Sequence, residues 1–282
     1  MISGVLDLAP LLTELRRDDY GGTGLVSIHA ATLDGRVLAA YDDDAVHFAA
    51  STVKLPLAMA AYRLHERGVL DLDAEVPVHD EFDSQVAGQR FVMDEGYDQD
   101  PPTWAQVGGT CTLRELVRRA IAHSGNLATN LVLERVGVAA VAELIADAGC
   151  SPATVMSRGI EDAPAREAGL ANEATARDLS VLLAALGNGA LLGVGPAKEL
   201  EAVLAQQTHR DGIPAGLPPS TYVANKTGWI EDVTHDAALV RPAWAEPFTL
   251  AVLTTLGVAT DEANRRIARV ARAVHGRLEA AQ

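Results

Sequence analysis

The sequence predicts an α+β fold, an α/β sandwich in which an antiparallel sheet carries an inserted all-helical lobe. Strand-like segments occur near the start of the 282-residue chain and again near its end, and the long segment between them has helical periodicity. Strands at both ends imply one sheet that is built from both termini and flanked by terminal helices. We therefore expect one composite domain, with residues 1–48 and 210–282 in an α/β lobe and residues 49–209 in a helical lobe.

Five segments are predicted to be strands. The first two flank Asp34-Gly35, a dipeptide that is typical of a hairpin turn. The other three follow a stretch rich in glycine and proline at residues 211–219. In chain order the five lie over residues 25–31 and 36–41 and near Tyr222, Ala238 and Leu250.

Helical periodicity begins at Ser51 and continues, with interruptions, to about Gln207. An amphipathic stretch over residues 5–17 and a final helix over residues 261–278 are expected to cover the sheet. The cleft between the two lobes would then be a usual position for a small-molecule site.

Lysine is rare in this chain. Only three of the 23 basic side chains are lysine, and two of them, Lys54 and Lys226, lie in short motifs. Arginine stays charged at any working pH, whereas a buried lysine beside another cation can become neutral and accept a proton. The pattern favours chemistry that needs an amine as a base, and it points to serine acyl transfer.

The first motif is Ser51-Thr52-Val53-Lys54. An apolar, alanine-rich run follows it, so Ser51 is predicted at a helix N-terminus. Positions i and i+3 share a helix face, which brings the Lys54 amine toward the Ser51 hydroxyl, and the Ser51 N–H is free to stabilise an oxyanion. The alternative is that Ser51 only caps the helix and Lys54 is solvated.

Two tripeptides form the second and third motifs. Ser124-Gly125-Asn126 lies at a predicted corner between helices, where the hydroxyl can pass a proton to a leaving group and the amide can donate to a substrate carbonyl. Lys226-Thr227-Gly228 ends a strand-like run, where glycine lets a substrate backbone lie close and the lysine and threonine can hold a carboxylate. Alone, each is equally what an ordinary turn or strand end contains.

The order and separation of the three motifs resemble the penicillin-recognising serine enzymes, and most closely the class A β-lactamases. The similarity extends to residues 109–116, to residues 130–133 and to the final helix, so it spans nearly the whole chain. It implies a β-lactamase/transpeptidase-like fold with one composite catalytic domain. The implied activity is a hydrolase that opens β-lactam rings or related amides and esters.

The resemblance assigns a role to each motif residue. Ser51 is implied as the nucleophile that forms an acyl-enzyme, with Lys54, or a water molecule, removing its proton. Lys226 and Ser124 are implied to relay a proton to the leaving nitrogen. The implied substrate-binding residues are Asn126, Thr227, Gly228 and Trp229.

Three departures from the family pattern concern the substrate cleft. Ser124-Gly125-Asn126 replaces the family's commoner SDN, which removes a buried carboxylate that would help to fix the corner. Residues 69–108 form a longer segment than in compact members and carry an acidic, aromatic insertion. Trp229 stands where small residues are usual; its backbone N–H can still serve as an oxyanion donor, while its indole would line or crowd the substrate mouth.

The most serious departure concerns deacylation, for which class A β-lactamases use a glutamate followed shortly by an asparagine. Residues 157–170 contain no close copy of that pattern. Glu161 is nearest in position and is the candidate for the water-activating base, with Asp162 and Glu167 as rivals. Without such a base the protein would be a slow-deacylating penicillin-binding protein, a sensor or an esterase, and this alternative stays open beside efficient hydrolysis.

The composition of the chain limits the classes of binding partner that we expect. The formal charge of −15 argues against nucleic acid and anionic membrane, because phosphate binding needs clustered cations. The expected partner is a small molecule with a carboxylate and an amide or lactam. The eight histidines show no metal spacing, so no metal and no cofactor are expected, and Cys111 and Cys150 are expected to be free thiols. The sequence begins without a charged head and cleavage site, which predicts a cytoplasmic location unless the natural start lies upstream.

Overall fold

The structure, a computed structural model, describes Leu8, Leu12 and residues 24–280. Apart from Leu8 and Leu12, the predicted amphipathic stretch over residues 5–17 lies outside the described residues. In chain order the described strands are β1 (Leu25–Thr32), β2 (Val37–Tyr41), β3 (His47–Phe48), β4 (Glu75–Pro77), β5 (Glu81–Asp83), β6 (Arg90–Val92), β7 (Thr110–Thr112), β8 (Val155–Met156), β9 (Asn172–Ala174), β10 (Tyr222–Ile230), β11 (Val233–Arg241) and β12 (Phe248–Thr255).

The α-helices lie mainly between β2 and β10, as the sequence predicts. In chain order they are α1 (Lys54–Glu66), α2 (Pro101–Trp104), α3 (Leu113–Ala122), α4 (Asn126–Val136), α5 (Val138–Asp147), α6 (Ala163–Glu167), α7 (Ala176–Asn188), α8 (Val194–Ala205) and α9 (Thr260–Ala280). The first helix differs from the expectation in one respect, because Ser51 lies in a 3₁₀ turn, Ala50–Val53, that leads into α1.

The five long strands form one antiparallel sheet in the order β10-β11-β12-β1-β2. β1 pairs with β12 along its whole length, from Leu25 opposite Thr255 to Thr32 opposite Phe248. The α+β class, with a sheet assembled from both ends of the chain, is therefore confirmed. The division into lobes at residues 49 and 210 stays a prediction.

Side chains on the sheet alternate between two hydrophobic cores. On β11, Ala237 and Leu239 belong to the core that includes the helical middle of the chain, whereas Ala238 and Val240 belong to the core under α9. The final helix thus covers one face of the sheet, as expected. The other face is covered by α7, which packs on β1, β11 and β12.

Helix α1 is the centre of the helical part. Every residue from Lys54 to Tyr62 is buried, which is typical of a helix that is apolar all round. Its small alanine side chains let α3, α4, α5 and α8 pack against it. Lys54 occupies its first position, so its amine lies at the N-terminal end of this buried segment.

Candidate active site

Ser51 lies on the tight turn before α1, where the edge strand β10 approaches it. The preceding residue, Ala50, has a left-handed φ of +45°, a conformation that non-glycine residues adopt only when surrounding contacts impose it. A Cβ atom added to Gly228 would lie 2.8 Å from the Ser51 nitrogen and 2.9 Å from the Thr52 nitrogen. Glycine is therefore required at this position, since the two backbones touch. Among the described residues the Ser51 hydroxyl, which is half-buried, makes no hydrogen bond.

Lys54 is buried and directed at the corner before α4. Its Nζ donates to the Ser124 carbonyl at 2.7 Å and to Asn126 Oδ1 at 2.8 Å, and it lies 3.5 Å from Ser124 Oγ. Burial lowers the pKa of Lys54 to about 7, against the opposing effect of the carboxylates of Asp98, Glu161 and Asp100. Near neutral pH the amine is therefore poised between its charged and neutral forms, which suits a general base.

Lys226 reaches the same corner from β10. Its Nζ donates to Ser124 Oγ at 3.0 Å and to the Thr227 carbonyl at 2.7 Å. Burial, and then the charge of Lys54, lower the pKa of Lys226 well below its usual range. Ser124 itself has a left-handed φ of +59°, so the corner that presents its hydroxyl to both amines is a strained one.

Two of the four predicted substrate-binding residues line a cleft beside β10. Thr227 and Trp229 border it together with His209 and Thr234. Thr227 Oγ1 is buried without a hydrogen-bond partner among the described residues. The half-buried Trp229 indole packs edge to face on His209 with ring centroids 4.6 Å apart, so it forms a wall of this cleft.

Glu161 lies on a loop whose backbone is hydrogen-bonded to a side chain of α4. The Asn130 side chain donates to the Ile160 carbonyl at 2.9 Å and accepts from the Ile160 N–H at 2.8 Å. Glu161 Oε2 accepts from the Asp94 N–H at 2.9 Å, while Oε1 is buried without a partner among the described residues. Burial, together with Asp98 and Asp94, raises the pKa of Glu161 against the effects of the Asp94 amide and Lys54.

The two rival carboxylates have different environments. Asp162 Oδ1 accepts from Ala165 N at 3.1 Å at the start of α6, and its Oδ2 accepts from Gln85 N at 3.0 Å. Glu167 is exposed at the end of α6. Of the three carboxylates, Glu161 is the one whose charge raises the pKa of Lys54.

The acidic insertion contributes side chains that the sequence argument did not assign to the site. Asp98 accepts hydrogen bonds from the backbone N–H groups of Asn126 and Leu127, and Asp100 is buried against Gly125. The carboxylate that the Ser-Gly-Asn motif was expected to lack is therefore present, but it comes from another part of the chain. No spacing in the sequence links these aspartates to the corner, so the sequence offered no signal for this role.

Three further observations concern metal-ligand groups, cysteines and membrane-spanning helices. No group of three or more histidine, cysteine or acidic side chains among the described residues is arranged to hold a metal ion. Cys111 and Cys150 are free thiols. Within the described part of the chain, no helix is long and apolar enough to cross a membrane.

The chain matches a known protein family and resembles solved structures. The family model described as "Beta-lactamase enzyme family" matches residues 9–278. A mutant of the last common ancestor of Gram-negative bacteria class A β-lactamase superposes with a TM-score of 0.81 at 26% identity, over 97% of this chain and 99% of that one. A β-lactamase from Sphaerobacter thermophilus gives 0.76 at 23%, over 95% and 96%.

A third solved structure is a mutant of PBP-A in an acyl-enzyme complex with penicillin G. It superposes with a TM-score of 0.76 at 22% identity, over 99% of each chain. At this identity the likeness concerns the fold. A comparison with curated proteins gave no match.

Proposed function

The chain belongs to the β-lactamase enzyme family, and from that premise we propose that it opens β-lactam rings, or related amides and esters, through an acyl-enzyme on Ser51. The observation that carries the proposal is the convergence of two buried amines on one hydroxyl. Lys226 and Lys54 lie 3.0 Å and 3.5 Å from Ser124 Oγ, and the two lysines come from the segments that carry Gly228 and Ser51, whose backbones touch.

Acylation begins with Ser51 Oγ attacking the lactam carbonyl carbon. Neutral Lys54, directly or through a water molecule, takes the hydroxyl proton. We assign the oxyanion to the backbone N–H groups of Ser51 and Trp229, because Gly228 lets β10 pack directly on the turn that holds Ser51.

Ring opening breaks the carbon–nitrogen bond of the tetrahedral intermediate. The departing nitrogen takes a proton from the Ser124 hydroxyl, and that hydroxyl is reprotonated by the hydrogen-bonded amines of Lys226 and Lys54. The proton removed from Ser51 is thereby returned to the leaving group. Asn126 steadies Lys54 and offers its amide to the substrate.

The substrate carboxylate is assigned to the cleft at β10. Thr227 Oγ1 is a buried hydroxyl with no partner among the described residues, and the buried amine-bearing residue Lys226 precedes it on β10. Trp229 narrows the cleft, which favours a substrate with a small or flat group on that side.

Deacylation is assigned to Glu161. Its Oε2 is engaged by the Asp94 N–H, which leaves the buried Oε1 as the acceptor for a water proton. The activated water attacks the ester carbonyl carbon, and the bond from that carbon to Ser51 Oγ breaks. Ser51 Oγ then takes the proton that Glu161 removed from the water. This free, desolvated oxygen favours turnover over the second candidate function, a slow-deacylating penicillin-binding protein or sensor.

One experiment separates these functions. The protein is incubated with a chromogenic cephalosporin while absorbance and intact mass are followed. Steady turnover supports the hydrolase, a persistent adduct on Ser51 supports the trapping protein, and neither signal rejects both. Ser51→Ala must abolish whichever signal is seen, with Ser220→Ala, an exposed serine, as the matched control.

A further inference from the structure

Helix α4 is capped from a distant segment. Its N-cap residue, Gly125, has no side chain to satisfy the first amides of the helix. Instead, Asp98 Oδ1 accepts from Asn126 N and Asp98 Oδ2 accepts from Leu127 N, both at 2.8 Å. A carboxylate from the acidic insertion thus performs the capping.

The Asp98 carboxylate is itself fixed by three more N–H donors. Trp104 Nε1 donates to Oδ2 at 2.8 Å, and the backbone N–H groups of Gln99 and Asp100 donate to Oδ1 at 2.7 Å and 3.2 Å. A carboxylate that accepts bonds from several directions has little freedom to rotate. An asparagine in its place would turn an amide N–H toward at least one of these donors.

Asp100 fills the space beside Gly125. It is 1% exposed, and a Cβ atom on Gly125 would lie 2.8 Å from Asp100 Cβ and 3.0 Å from Asp100 Oδ2. The Thr103 hydroxyl donates to Asp100 Oδ2, while Oδ1 is buried without a described partner. The site has room for one side chain, carried either by residue 100 or by residue 125.

The same segment also orients Asn126, because Asn126 Nδ2 donates to the Tyr97 carbonyl at 3.0 Å. This bond directs Asn126 Oδ1 toward Lys54, whose two shortest hydrogen bonds go to that oxygen and to the Ser124 carbonyl. Residues 97–100 therefore hold Asn126, one of the two nearest acceptors of the lysine, and pack against Gly125, which follows the other.

We propose that Asp98 and Asp100 are positioning residues for the Ser124 corner, and that Asp100 occupies the place of the side chain that Gly125 lacks. The proposal rests on the proposed function, because the corner matters for catalysis only if Lys54 and Ser124 take part in acyl transfer. The two aspartates touch neither substrate nor Ser51; they act through Asn126, Gly125 and Lys54.

The charge of Asp98 also bears on Lys54. The charged groups that face Lys54 come from three elements: Asp98 and Asp100 from the insertion, Glu161 from its loop, and Lys226 from β10. Removal of one carboxylate from this set weakens the support for the charged amine. The pKa of Lys54, which is about 7, then falls further.

The first test is a side-chain exchange between positions 100 and 125. Asp100→Gly leaves a hole and Gly125→Asp places two carboxylates in one space, so each should slow adduct formation on Ser51 by about ten-fold. The double variant should recover to within about three-fold of the wild type. If the two effects were independent, they would multiply to about 100-fold in the double variant. That result would overturn the proposal that the two side chains share one space.

Urea unfolding of the same four proteins measures the exchange without any substrate. The midpoints should show the double variant more stable than the sum of the single effects predicts. If the wild type forms no adduct, the proposed function fails. The stabilities of the four proteins still report whether the two side chains share one space.

The second test uses the fact that the chain has only three lysines, Lys54, Lys198 and Lys226. Labelling lysine with ¹³C at Cε gives a spectrum of three signals, in which exposed Lys198 is the reference. Asp98→Asn should lower the titration midpoint of the Lys54 signal by about half a pH unit or more. The acid limb of the acylation rate should shift in the same direction.

Glu95→Gln, an exposed acid in the same segment, is the control and should leave both midpoints in place. A purely structural role of Asp98 would slow acylation without moving the lysine signal. An unmoved Lys54 signal in a folded Asp98→Asn protein would therefore overturn the positioning role.

Discussion

The Nζ atom of Lys226 lies 3.0 Å from the hydroxyl oxygen of Ser124, although 102 residues separate them along the chain. The contact joins the edge of the sheet to the corner between α3 and α4. Because Lys54 approaches the same hydroxyl from α1, Ser124 is the point through which a proton can pass between the two amines.

Ser124→Ala should slow acylation by about 10²-fold, because the leaving nitrogen loses its proton donor. The rate is measured by stopped-flow absorbance with a chromogenic cephalosporin. Ser220→Ala should leave the rate unchanged. Equal rates for wild type and Ser124→Ala would remove Ser124 from the proton path.

Glu161→Gln should slow deacylation by about 10²-fold or more and affect acylation far less, because the amide cannot take a proton from water. Intact mass should then show an adduct that persists after excess substrate is removed. Glu167→Gln, a change in an exposed carboxylate six residues later, is the matched control. A Glu161→Gln protein that turns over at the wild-type rate would assign deacylation to another group.

Gly228→Ala should destabilise the protein by about 1–3 kcal/mol and suppress acylation, because its methyl group meets the backbone nitrogens of Ser51 and Thr52. Urea unfolding and adduct formation measure the two effects. Gly195→Ala is the control, since a Cβ at that helical position meets nothing within 4 Å. Unchanged stability and acylation in Gly228→Ala would mean that β10 and the turn lie farther apart.

Stability should fall as the pH is lowered from 6.5 to 4, because a buried pair of histidines must be neutral. His47 bonds to Ser27 Oγ at 2.9 Å and to Thr255 Oγ1 at 2.8 Å, and its ring centroid lies 5.3 Å from that of His235. Burial lowers the pKa of His47 to about 3 and that of His235 to about 4, from 6.5. Between these values the unfolded chain binds more protons than the folded one, so acid favours unfolding.

His47→Gln should reduce the loss of unfolding free energy between pH 6.5 and 4 by up to about 3 kcal/mol. Urea denaturation at several pH values measures it. His79→Gln, at a position close to the surface, controls for the loss of an imidazole. An identical pH dependence in wild type and His47→Gln would show that His47 does not govern acid stability.

Much of the fold could be predicted because it depends on local patterns. The Asp34-Gly35 turn predicts the hairpin of β1 and β2, and the alanine-rich run after Lys54 predicts a buried helix. The gathering of Lys54, Ser124 and Lys226 followed from the family resemblance.

The remaining features depend on contacts that no local pattern encodes. Asp98 caps a helix that begins 28 residues later, and nothing in its spacing links it to Asn126. Gly125 was interpreted as the loss of a carboxylate, because a glycine in a sequence does not reveal which neighbouring side chain fills its space. The 3₁₀ turn at Ser51 depends on the approach of β10 and is likewise non-local.

The pairing of β1 with β12 imposes an order on biosynthesis. As the chain emerges from the ribosome, β1, the turn at Ser51 and the helical middle appear before β12, so one edge of β1 stays unpaired until β12 arrives. Lys226 and Gly228 come late as well. A prematurely terminated product therefore carries Ser51 without the strand that completes its pocket, and its open β1 edge makes it prone to aggregate rather than to react.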